Sequence, residues 1–256
     1  MLDIISVLLN NLDTGKGHMP SSILYNEGWL VRVIMYWFSK NKAIEHPLAF
    51  QPGTDWFSEG LLSSKFLPQY HGDELAESYT HADGIIGDIA VRKAGKADVF
   101  LVGPFKQFIV LEAKLFSKLS SGTTRIPGYN QVARSIACMA SVISNGRCPV
   151  EGFDMLGFYV LAPEKEIESE PTFYAFMEKE SVYRTVLSRV ELYKDRSNYL
   201  EKRKWFEEYF EPILKKIDLL LISWEEVLFD IKHYDNETGQ KLGRFYSRCL
   251  AVNKPL

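Results

Sequence analysis

Four apolar residues followed at once by a carboxylate and an ammonium, Phe108-Ile109-Val110-Leu111-Glu112-Ala113-Lys114, constrain this chain more than any other stretch. The apolar run, rich in aromatic and β-branched residues, predicts a strand buried on both faces. On a strand, Glu112 and Lys114 project from one face while Leu111 and Ala113 project from the other. A buried charge is costly unless it is paired or binds a metal. A charged pair that ends a core strand therefore implies either emergence into solvent or a ligand.

The run before it, Ala97-Asp98-Val99-Phe100-Leu101-Val102, is joined to it by Gly103-Pro104-Phe105-Lys106-Gln107, which reads as a hairpin loop. Pairing Val102 with Phe108 places Asp98 opposite Glu112. Like charges directly opposed on a ladder destabilise a sheet, a local conflict that tends to mark function. A hard divalent cation between the two carboxylates would resolve it. The inference depends on register, since a slip of one residue turns the side chains to the other face.

Charge is segregated around this stretch. Residues 51–88 hold seven acids against Lys65 alone, whereas residues 114–134 hold Lys114, Lys118, Arg125 and Arg134 and no acid. The second segment would attract a polyanion, although a solvated basic loop has the same composition. The overall net charge of -3 excludes a uniformly basic surface, and 46% hydrophobic with 25% charged residues describes an ordinary globular chain. Its 256 residues suffice for one large domain, or a core with a helical appendage. Three cysteines without close pairing suggest neither a disulfide framework nor a zinc knuckle, and point to a reduced, cytoplasmic protein. No stretch has the roughly 20 uninterrupted apolar residues of a membrane span.

In chain order, residues 1–21 read as a short amphipathic helix and a loop. Residues 25–40 are helical, with Trp29, Leu30, Val33, Ile34, Trp37 and Phe38 on a helical period, Ser21 or Ser22 as cap and Glu27 in the first turn. The segment 43–79 is irregular, and strands follow at 84–93, 97–102 and 108–114 as a meander. Ser117–Gly128 is a loop, 129–144 a helix with Gln131 at its start, and 152–161 a core strand. Beyond Pro163 come long charged helices, one of them over residues 181–210, a short strand at 218–222, and a capping box Ser223-Trp224-Glu225-Glu226.

This order, with an acid on one strand and Glu-x-Lys on the next, resembles the PD-(D/E)XK nuclease superfamily. The acid would be Asp98, separated by thirteen residues from Glu112-Ala113-Lys114, with Asp83 and Asp88 as alternatives. The position before Asp98 is Ala97 where the family name has Pro. The resemblance covers about residues 22–163 and implies a restriction-endonuclease-like α/β (α+β) core, a mixed sheet flanked by helices, with residues 164–256 as a helical extension packed on it. It further implies metal-dependent hydrolysis of phosphodiester bonds, most plausibly in DNA, with a restriction or defence role expected from the family alone. Asp98 and Glu112, with Glu27 reaching in, would hold Mg²⁺, for which Mn²⁺ would substitute. Lys114 would orient the attacking water or stabilise charge, and Gln131 would hydrogen-bond water or phosphate. Lys118, Arg125 and Arg134 would neutralise phosphates without reading sequence. The oligomeric state stays open, a homodimer included.

Three rival readings use the same residues. A catalytically silent nucleic-acid-binding or scaffolding module would keep the basic segment and dispense with the acids. A glycosidase would use Asp98 and Glu112 as acid and base, but residues opposed on a ladder sit too close for an inverting mechanism. A purely structural reading makes Glu112 and Lys114 a surface ion pair worth little.

Overall fold

The computed structural model describes residues 2–14, 16–92, 98–123 and 126–254. The N-terminal half contains α1 (Leu2–Asp13), α2 (Glu27–Lys40), β1 (Asp55–Phe57), β2 (Gly60–Leu62), β3 (Thr80–Ala82), β4 (Gly84–Gly87), β5 (Ile89–Val91), β6 (Val99–Leu101) and β7 (Gln107–Ala113). Then come α3 (Gln131–Gly146), β8 (Met155–Ala162), α4 (Glu164–Ser169), α5 (Pro171–Met177) and α6 (Lys179–Glu191). A helix continues from α7 (Tyr199–Trp205) through a π turn, Phe206–Phe210, into α8 (Glu211–Lys216). The chain closes with β9 (Asp218–Ser223), α9 (Trp224–Tyr234) and α10 (Asn236–Asn253).

The centre is a five-stranded mixed sheet in the order β1-β4-β7-β8-β9. β1, β4 and β7 pair antiparallel, whereas β7, β8 and β9 pair parallel. All seven residues of β7 are buried, as its unbroken apolar run requires. Phe108 and Val110 face a core shared with α3, α6 and the π turn, while Ile109, Leu111 and Ala113 face one shared with α2, α9 and α10. The C-terminal third is thus part of the same core, and it supplies the sheet's edge strand.

The meander expected between residues 84 and 114 does not form. β4 ends at Gly87, and the chain leaves the sheet as a separate two-stranded ribbon, β5 with β6. Residues 93–97, which join its two strands in sequence, lie outside the described residues. A Cβ on Gly87 would stand 2.1 Å from the Gln107 carbonyl oxygen, so only glycine permits this approach. Asp88 then closes the base of the excursion. Its Oδ2 accepts from the backbone N–H groups of Lys106 at 2.6 Å and Gln107 at 3.0 Å, and its carbonyl accepts from Val102 N at 2.9 Å. Val102 therefore does not pair with Phe108, and Asp98 is not opposite Glu112. Asp98 instead makes a lone parallel bridge with Leu61.

Helix starts follow local chemistry. Asn26, rather than Ser21 or Ser22, caps α2 by accepting from Trp29 N, and Asn130 caps α3 by accepting from Ala133 N. Ser223 accepts from Glu226 N at the start of α9, as the capping box requires. The charged helix expected over residues 181–210 is divided between α6 and α7. Among the described residues, no helix is long and apolar enough to cross a membrane.

Candidate active site

The β4–β7 ladder pairs Gly84 with Leu111, and one further step brings Asp83 to Glu112. Two carboxylates do face each other across this sheet, but the partner of Glu112 is Asp83. Asp83 Oδ2 accepts from the Ala113 backbone N–H at 2.7 Å, which fixes the carboxyl at the end of β7. Both acids share the α3 side of the sheet, because Asp83 has the parity of Ile85 and Glu112 that of Val110.

Glu112 is 5% exposed, and its Oε1 is the meeting point of two donors. Lys114 Nζ lies 2.8 Å away, and Gln131 Nε2 donates to it at 2.6 Å. The Lys114 backbone is held by its N–H on the Leu161 carbonyl at 2.8 Å and by Trp224 Nε1 on its own carbonyl at 2.8 Å. Gln131 is oriented from both sides. Its backbone N–H donates to Ser120 O at 2.9 Å, and its Oε1 accepts from Ser120 N at 3.1 Å, so the loop entering α3 is tied to the site. Among the described residues, Glu112 Oε2 and Asp83 Oδ1 receive no hydrogen bond.

Electrostatics reflect this crowding. Burial, then the charge of Glu112, pushes the Asp83 carboxyl up to about 7, with Lys114 and the Ala113 N–H acting against them. Burial also raises Glu112 above the ordinary carboxylate range, opposed by Lys114, Gln131 and Arg134. A half-buried and a buried carboxylate facing each other at the end of the sheet resist being charged together.

Glu59 adds a further charge. It sits in the turn between β1 and β2 with a left-handed backbone (φ 59°), its side chain is paired with Arg32 at 3.3 Å, and its charge pushes Asp83 up further. A non-glycine residue in this conformation costs about 1 kcal/mol or more, and such residues cluster at functional sites. In the sequence, the only sign of it is an acid followed by glycine between two short apolar runs.

The other expected residues are placed as follows. Glu27 opens α2, on the opposite face of the sheet from Glu112 and Gln131, where its charge adds to the burial that pushes the Cys249 thiol up to about 12. No contact brings it to Glu112. Asp98 is likewise absent from the cluster. Arg134 lies one helical turn beyond Gln131, donating through Nε to Thr80 Oγ1 at 3.0 Å. The Lys118 side chain is 72% exposed and ion-paired with Glu170, and Arg125 lies outside the described residues.

Comparison of the chain with protein-family models, curated proteins and solved structures finds no match.

Proposed function

We propose that the protein is a metal-dependent nuclease with a restriction-endonuclease-like core, in which Asp83, Glu112, Lys114 and Gln131 form the hydrolytic site. The observation that carries this reading is the pair of facing carboxylates, Asp83 and Glu112, with a lysine 2.8 Å from one of them. Helix α2, strands β1, β4 and β7, helix α3 and strand β8 supply the helix, three strands, helix, strand order of that fold class.

The residues fit a hard divalent cation. Among the described residues, each carboxylate has one oxygen held by the protein and one that receives no hydrogen bond, and burial first, then the facing Glu112 charge, raises Asp83, a cost of charging that a bound cation would offset. Among the described residues no three His, Cys, Asp or Glu side chains converge, so the protein would provide two carboxylates. Mg²⁺ is commonly held by one or two carboxylates, with water and substrate phosphate completing its shell. When bound there by Asp83 and Glu112, it would polarise the phosphate and lower the pKa of water.

The protein's own groups do the rest. Lys114, its backbone pinned at both N–H and carbonyl, presents an ammonium beside Glu112 that stabilises negative charge growing on the phosphate. Gln131 holds the Glu112 carboxylate in one rotamer, which keeps Oε2 directed away from its own amide. Arg134 contributes positive charge next to the site without touching Glu112. DNA is favoured over RNA as substrate by the family analogy.

The test is cleavage of plasmid and linear DNA with Mg²⁺, Mn²⁺ or EDTA, comparing wild type with Asp83→Asn, Glu112→Ala and Lys114→Ala at matched folding. Metal-dependent cutting that all three substitutions abolish is expected. Cutting that survives them removes the site, and a folded wild type that cuts neither DNA nor RNA removes the function.

A further inference from the structure

Beside the carboxylates lies a cleft of about 1160 Å³ that the hydrolytic reading does not use. One wall is the segment from Leu67 to Tyr79, and the other contains Thr123 and Arg134. Three connections place it next to the site. Tyr79 leads through β3 directly into Asp83, Thr123 belongs to the loop that ends at Gln131, and Arg134 shares a helix face with Gln131 while its charge acts on Glu112.

Its lining is unlike that of a phosphate groove. Among the described residues of the lining, Asp73, Glu74 and Glu77 outnumber the single cation Arg134, which disfavours a polyphosphate backbone there. Tyr70, His71 and Tyr79 offer flat rings beside those acceptors. Flat surfaces flanked by carboxylate acceptors suit a neutral, planar ligand that carries an amino group. Cytosine, adenine and guanine are such ligands through their exocyclic amines.

The wall is also held rigidly, as selection requires. Arg189 of α6 and the Tyr193 hydroxyl both donate to the Leu75 carbonyl, the latter at 2.7 Å. Lys202 of α7 donates to Lys65 O at 2.7 Å, and Arg196 donates to the Tyr70 hydroxyl at 2.8 Å. Three residues of the C-terminal helical region, Arg189, Tyr193 and Arg196, thus fasten a segment whose outer side faces the cleft, and Lys202 holds the chain just before it.

Resting on the nuclease reading above, we propose that this cleft receives one nucleobase of the substrate strand, unstacked from its neighbours beside the scissile phosphate. The rings of Tyr70, His71 and Tyr79 stack on it, and the carboxylates of Asp73 and Glu74 accept from its exocyclic amine. The C-terminal helices act by positioning the wall and touch no substrate.

Two readouts test this separately from cutting. Wild-type enzyme is assayed on duplexes carrying one abasic nucleotide, scanned through each position around the cut. Glu112→Gln protein is titrated with the same series carrying 2-aminopurine, whose fluorescence is quenched by stacking. The expected result is a loss of kcat/KM on the order of tenfold at a single position, the size of one base–aromatic stack, with a change in quenching at the same position. Tyr79→Ala should reproduce that loss on the intact duplex and add nothing on the abasic one. Glu74→Gln, a change at an exposed rim residue, should weaken discrimination between adenine and purine at that position, and serves if Tyr79→Ala fails to fold. Cutting with no positional dependence overturns the pocket and leaves the nuclease reading standing. Position-specific quenching without cutting by wild type supports the pocket and removes the nuclease. A protein that binds no nucleic acid overturns both.

Discussion

On the α3 side of one sheet the protein buries two groups of charge and treats them in opposite ways. At the end of β7, Asp83 and Glu112 face each other with an oxygen of each left without a hydrogen bond among the described residues. Around Phe66, Arg189 and Lys202 are 1% and 2% exposed, and are closed in by rings and carbonyls. The Arg189 guanidinium stands 4.5 Å from the Phe66 centroid and 5.2 Å from that of Tyr193, and Lys202 Nζ stands 4.4 Å from that of Tyr193. The cations lie against aromatic faces, and although Arg189 Nε and Nη1 have no hydrogen-bond partner among the described residues, Arg189 Nη2 and Lys202 Nζ are fixed on backbone carbonyls, an arrangement that holds a wall. The carboxylates repel each other and are incompletely answered, an arrangement that awaits a ligand.

The largest expected effect is on rate. Lys114→Ala and Glu112→Ala should lower DNA cleavage by about 10²- to 10⁴-fold, read at a temperature where each variant is folded. Asp98→Asn and Glu27→Gln, placed away from the site, should cut as wild type does. Should Asp98→Asn be inactive while Asp83→Asn cuts normally, the assignment of the paired acid fails. The cationic group should answer in the reverse sense. Arg189→Ala is expected to cost about 3 kcal/mol or more in urea denaturation, because it strips a buried charge from its aromatic and carbonyl partners.

The pH dependence of stability separates the two groups by sign. Asp83 in the folded, metal-free protein is pushed up to about 7 from an ordinary 3.8, so the folded state binds its proton more tightly between those values. Its stabilisation is complete below about pH 4 and is lost as pH rises through 7, with a ceiling of about 4 kcal/mol at roughly 1.4 kcal/mol per unit. Lys202 is pushed down by burial to about 8 from 10.5, so its contribution rises between pH 8 and 10.5, with a ceiling of about 3 kcal/mol. Denaturation of Asp83→Asn and Lys202→Met against wild type across pH should show each slope vanish in turn. Saturating Mg²⁺ at pH 8 should raise the wild-type melting temperature and leave that of Asp83→Asn unmoved.

Much of this was readable from the sequence, because burial leaves a periodic mark. The four apolar residues before Glu112 announce β7, and the helical spacing announces α2 and α3. Glu112, Lys114 and Gln131 follow from strand parity and helix start. The acid opposite Glu112 did not follow, because the shortest loop between two apolar runs is the natural hairpin and the chain takes a longer path. Nineteen residues, Asp88 to Lys106, separate β4 from β7 in sequence; the described ones leave the sheet with β5 and β6 and carry Asp98 away with them. The visible sign was Gly87 followed by Asp88 inside a strand pattern, a break that glycine permits and the aspartate closes. Glu59, the cleft, and the docking of Arg189 and Lys202 on carbonyls of a distant segment depend on long-range packing with no periodic trace.

The smallest effect tests whether the basic loop belongs with either group. Lys118 is mostly exposed and ion-paired with Glu170, which sets its amine above and the Glu170 carboxyl below their usual values through that hydrogen bond. An exposed pair of this kind adds little to stability, so Lys118→Ala should leave the denaturation midpoint nearly unchanged. If the loop tracks phosphates, the ammonium exchanges Glu170 for DNA on binding. The substitution should then weaken binding equally for all sequences and reduce the slope of log affinity against log salt by about one. An unchanged slope would make Lys118 a strut between the loop and the start of α5, and would leave Arg134 as the phosphate-facing cation beside the carboxylates.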